Sequence, residues 1–173
     1  MTRFGRLIWG LAGLSAVLFI TLLAVTELYL KPGGLDPFDS RFTGYTPGQA
    51  RAYLQALSDA GNTGVYLGLF RQLDSVFPVL LAATFLGAVW LNTSRLWWVL
   101  RGLLLMFPLL YLWADLFENA QVAVMLKAGV AIDDATVQQA DTLTRIKWFC
   151  VAICIMGVIG TWGFRRLTKG AAA

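Results

Sequence analysis

The chain has 173 residues, 58% of them hydrophobic, and a mean hydropathy of +0.66, which excludes an ordinary soluble domain. Its net charge of +4 therefore reads as a topology signal and as contact with anionic lipid, and no basic stripe interleaved with aromatics points to nucleic acid. Histidine is absent, which removes Ser–His nucleophiles, histidine zinc sites and bis-histidine haem, and no glycine-rich phosphate loop ending in Lys-Ser or Lys-Thr is present.

Four apolar runs, at about 7–30, 69–91, 96–118 and 146–165, are long enough to cross a hydrocarbon core ~30 Å thick as helices. The first follows a basic start, as a signal sequence would. It continues to Leu30 without a small-x-small exit, so an uncleaved span is expected. Lys31-Pro32-Gly33-Gly34 then breaks the helix, and residues 32–63 form a cap on one side of the membrane. Within the cap, Thr46-Pro47-Gly48-Gln49 has the spacing of a capping box with proline at the first helical position. Ala50, Tyr53, Leu54 and Leu57 follow at helical spacing and Gly61 closes the segment. This predicts a short amphipathic helix lying on the bundle or on the membrane surface, as a lid or as a packing element.

The second helix is expected to start near Thr63, ahead of its apolar run, and to reach a tight turn at Asn92-Thr93-Ser94-Arg95. The third runs from Leu96 to Ala128 with only Pro108 inside it, so its end projects beyond the membrane; Gly129 caps it. Asp133 or Asp134 starts the fourth. Pro78 and Pro108 each free a carbonyl one turn earlier. Trp9, Trp90, Trp97, Trp98 and Trp162 mark one interface, Trp113 and Trp148 the other. Cys150 and Cys154, four apart in the last span, read as small apolar packing residues. The result is an all-α, four-helix transmembrane bundle with a short amphipathic helix on the outer side, in one membrane domain.

Charge orients it. With the N-terminus inside, all ten carboxylates fall on the outer side, while Arg3, Arg6, Arg95, Arg101, Arg165, Arg166 and Lys169 fall inside without an acid among them. That is the positive-inside pattern and predicts both termini inside.

The candidate site follows from depth. Asp115, Glu118 and Asn119 share one helical face at the outer end of span three. Asp74 with Arg71 stands at the outer end of span two, Glu27 at that of span one, and Arg145 and Lys147 open span four. Charges near hydrocarbon are costly unless paired, so these eight residues are expected to converge. They form either a polar ligand-binding pocket or an ion-pair layer that holds the helices in register. The succession Gly44-Tyr45-Thr46-Pro47, Asp74-x-x-Phe77-Pro78, Asp115-x-x-Glu118-Asn119 and Thr144-x-x-Lys147 resembles a type of small bacterial four-span membrane protein without an assigned activity. The resemblance implies a bacterial inner membrane and carries over no substrate and no catalytic residue.

The leading functional expectation is a non-enzymatic binding or accessory subunit whose outer-leaflet polar site meets a lipid, a small ligand or a partner protein. One alternative is a membrane-embedded lipid-modifying enzyme using Asp74, Asp115 and Glu118; another is a small transporter working as an oligomer. Membrane lipid is the expected partner, with a larger membrane complex or a second copy left open. No cofactor, metal or nucleic acid is assigned.

Overall fold

A computed structural model describes residues 2–93 and 98–170, with side chains through residue 167. All regular structure in these residues is helical. Four helices are long and apolar enough to cross a membrane: α1 (Arg3–Leu30), α3 (Thr63–Asn92), α4 (Trp98–Ala128) and α5 (Asp134–Gly170). Between α1 and α3 lies the short helix α2 (Pro47–Asp59). The bundle is an all-α one, as the periodicity implies. Arg95 and Trp97, the expected start of span three at Leu96, and the second half of the turn after Asn92 lie outside the described residues, as does the side chain of Lys169.

The helices exceed their apolar runs. The 31 residues of α4 rise about 46 Å, against a hydrocarbon core of ~30 Å. The excess lies at the end away from the termini, which α2 and its flanking turns cover. The largest buried core is there: Leu30, Phe38, Tyr53, Leu57, Tyr66, Met125 and Val137 pack together under α2. Nearer the membrane centre the fully buried cluster shrinks to Ala82, Tyr111 and Cys150.

Local chemistry explains the cap. Thr46 and Gln49 close the expected box: Thr46 Oγ1 accepts from Gln49 N at 3.3 Å and Gln49 Oε1 accepts from Thr46 N at 2.8 Å. Such a cap contributes about 1 kcal/mol. Ala50, Tyr53, Leu54 and Leu57 are all buried, so α2 lies on the bundle. The Tyr53 hydroxyl donates to Leu30 O at 2.9 Å and the Asn62 amide to Tyr29 O at 2.8 Å, which satisfies carbonyls left open at the end of α1. Asp133 starts α5 by accepting from Thr136 N at 2.8 Å. Two details depart from continuous α-helix: Thr26–Leu30 in α1 and Tyr66–Phe70 in α3 are wider π-helical turns.

The four spans do not form a closed square. Helix α5 packs most closely on α4; α4 packs on α3, and α3 reaches diagonally to α5. Helix α1 leans on α3, where Ile8 occupies the space a Cβ of Gly87 would need, and scarcely touches α5. A gap therefore separates the first and fourth spans.

Candidate functional site

Depth brings ionisable groups to the cap end of each span, but rotation about each helix decides which of them meet. Asp115, Glu118 and Asn119 share the inward face of α4, and Thr144 and Lys147 that of α5; all five are buried. Lys147 is the hub. Its Nζ stands 2.5 Å from Glu118 Oε2, 3.4 Å from Asp39 Oδ1 and 3.9 Å from Asp115 Oδ1. The Thr144 hydroxyl donates to Glu118 Oε1 at 2.5 Å, so both oxygens of Glu118 are engaged. Asn119 donates to Asp74 O at 3.2 Å and ties α4 to α3.

The third carboxylate at the hub, Asp39, comes from the loop and was not among the residues expected from sequence. It sits in the turn Phe38–Ser40, anchored by the fully buried Phe38. Its Oδ2 accepts from the Tyr66 hydroxyl at 2.6 Å and its carbonyl from the Trp148 indole N–H at 3.0 Å. No local signal marks it, because its partner Lys147 is 108 residues away. Trp148, expected at the interface, faces this loop.

Three of the expected residues do not join. Glu27 is exposed and pairs with Lys31 at 2.5 Å, which raises the Lys31 pKa. Arg145 pairs with Asp141 at 3.0 Å on an outer face, and Arg71 is exposed without an ion pair among the described residues. All three stand at the right level and point elsewhere. Arg145 has a different position to fill. Gly44 has φ +90°, and the Arg145 and Asp141 side chains occupy the space its Cβ would need. Asp141 Oδ1 accepts from Tyr45 N at 2.7 Å, which pins the loop to α5. Over this loop the Arg41 guanidinium lies on the rings of Phe38, Tyr45 and Tyr53. Burial lowers its pKa and raises those of Tyr45 and Tyr53, so both hydroxyls stay neutral.

Beside the hub lies a cavity of about 560 Å³. Its charged end is formed by Asp39, Asp74, Asp115 and Lys147; the rest is mostly apolar, with Phe19, Leu22, Phe77, Leu81, Val151 and Ile155 on its walls and the hydroxyls of Ser15 and Thr84 among them. Phe42 closes over it, edge-on to Trp148 at 6.4 Å between ring centres. The exposed Phe19, Leu23 and Ile155 flank its mouth, which is the gap between α1 and α5. Glu118 is not on its wall.

The cluster therefore has two halves. Glu118 and Thr144, off the cavity wall, engage each other and Lys147, whose side chain also reaches the wall. Asp74 lines the cavity at 7% exposure, and its carboxylate makes no hydrogen bond or ion pair among the described residues. Asp39, Asp115 and Glu118 repel it and Lys147 alone attracts it. The buried Tyr111 hydroxyl, also on the wall, lies beside Asp115 without closing a well-formed hydrogen bond. Among the described residues no three acidic or thiol side chains are arranged to hold a metal ion. What the arrangement offers is an apolar slot ending in hydrogen-bond acceptors. No protein-family model, no curated protein and no solved structure matches the chain, so its chemistry rests on these residues alone.

Proposed function

We propose that the protein is a non-enzymatic binding protein of the membrane that takes an amphiphile from the bilayer through the gap between α1 and α5. The apolar part lies against Phe19, Phe77 and Ile155, and the polar head meets Asp74 and Asp115 beneath the Asp39–Phe42 loop. One observation supports this above the others: the cavity is mostly apolar along its length, carries its charged groups at one end, and is bordered by exposed apolar side chains where lipid would stand. Its volume is within the roughly 300–1,000 Å³ of small-molecule sites. The charge asymmetry of the sequence supports an orientation with the polar end on the outer side and both termini inside, and the resemblance adds a bacterial inner membrane.

Ala16 lies on the wall and is exposed, so a larger side chain there blocks the mouth without entering the core. Native mass spectrometry of the gently extracted protein should show a bound amphiphile on the natural chain and none on Ala16→Phe, with the same melting temperature. Equal retention by both chains would overturn the proposal. A second copy of the chain in place of an amphiphile would assign the gap to self-association instead.

A further inference from the structure

We propose that the head group bound at this site is a protonated amine. The inference rests on the amphiphile reading and adds the sign of the charge. Four carboxylates, those of Asp39, Asp74, Asp115 and Glu118, surround a single ammonium, that of Lys147. Lys147 is occupied: Glu118 is in contact and Asp39 and Asp115 stand next to it. Asp74 is left more than nine-tenths buried, on the cavity wall, with no donor to its carboxylate among the described residues.

A buried carboxylate without a donor is costly, and a cation in the cavity relieves it. The candidate side chains that could have served are elsewhere. Arg71, on the same helix as Asp74, points to the outside, and Arg145 is turned to Asp141. An anionic head would meet three carboxylates on the wall, with one ammonium already shared among them. A neutral hydroxyl could donate one hydrogen bond. An ammonium can donate three, to Asp74, Asp115 and Asp39, each charge-assisted and about twice as strong as a neutral one. A hydrated metal ion finds no ready ligand set among the described residues, and the cavity walls below the carboxylates are mostly apolar. An amine on an apolar chain satisfies both ends. Two sources carry that chemistry, a lipid with an amino head group and a free single-chain alkyl amine.

The test uses the full chain in a mild detergent with dodecylamine, dodecanol and dodecyl sulfate as probes, read by native mass spectrometry and by shift in melting temperature. The expected result is dodecylamine retained at least about tenfold better than dodecanol, and dodecyl sulfate not retained. Asp74→Asn should lower amine retention about tenfold and leave dodecanol unchanged. Equal retention of amine and alcohol, or an amine preference that survives Asp74→Asn, would overturn the charge inference and leave the amphiphile pocket standing. Retention of no probe by the natural chain would overturn both. The same protein in vesicles of mixed phosphatidylethanolamine and phosphatidylglycerol separates the sources. Co-extraction of the ethanolamine lipid over the glycerol lipid supports the lipid head group. Binding of dodecylamine without lipid enrichment supports the free amine. Enrichment of the glycerol lipid would overturn the proposal.

Discussion

The two flanks of α5 are built in opposite ways. Towards α4 the seam is closed: Glu118, Thr144 and Lys147 engage one another across it, Ala114 and Cys150 are buried, and Leu104 packs against Gly157. Towards α1 the helices scarcely touch, and the exposed Phe19, Leu23 and Ile155 edge a cavity. Both flanks carry buried carboxylate. On the closed side the charges are paired and act as fasteners; on the open side the Asp74 carboxylate lines the cavity with no partner among the described residues. Paired charge makes a seam and unpaired charge makes a site, within one cluster and at one depth.

The largest effect should come from removing the ammonium that the two sides share. Lys147→Met leaves four carboxylates around an apolar side chain, and breaking such a buried pair costs about 3–5 kcal/mol. Thermal unfolding in detergent should show a steep fall; an unchanged melt would mean that the closed seam does not depend on its ion pair. A sharper comparison sets two chemically equal changes side by side. Glu118→Gln keeps its shape and can still accept from Thr144 but loses the contact with Lys147, and should cost about 1–3 kcal/mol. Asp74→Asn removes a charge that has no partner, and should leave the melting temperature unchanged or raised. Two equal melts would erase the distinction between the flanks. The smallest effect concerns the turn joining α4 to α5. Hydrogen bonds from Thr136 lower the Asp133 pKa below its ordinary value. The stability it adds is therefore full above about pH 4, the unfolded value, and is lost as pH falls through the lower folded value. Asp133→Ala should remove only that slight acid sensitivity from the melting curve. If it removed most of the protein's acid sensitivity, the buried cluster would contribute none.

Helix by helix, much of this was legible. The capping box at Thr46, the buried stripe from Ala50 to Leu57, a start of α5 at Asp133 or Asp134 and the shared face of Asp115, Glu118 and Asn119 all follow from spacing along one helix. What spacing along a helix cannot supply is rotation relative to the neighbours. In a soluble helix the polar stripe shows which way is out. In these spans lipid-facing and core-facing sides are both apolar, so hydropathy sets depth and leaves rotation open. Glu27, Arg71 and Arg145 were therefore placed at the right level but given the wrong neighbours. Asp39 escaped for a related reason. A loop residue has no period, and only the burial of Phe38 beside it carries it to Lys147.

The π-helical turn Tyr66–Phe70 bears on how such a site arises. A π turn takes up one residue more than an α turn, and each residue swings the rest of a helix by about 100°. Tyr66 meets Asp39 and Asp74 meets the cavity because that surplus residue lies between them. Deleting one position from 67–69 would leave composition and membrane fit almost as they are, yet turn Asp74 away from the cavity while Tyr66 keeps its place beside Asp39. Ancestors and descendants of this chain could thus gain or lose the pocket through a single inserted or deleted codon, with every charged residue kept.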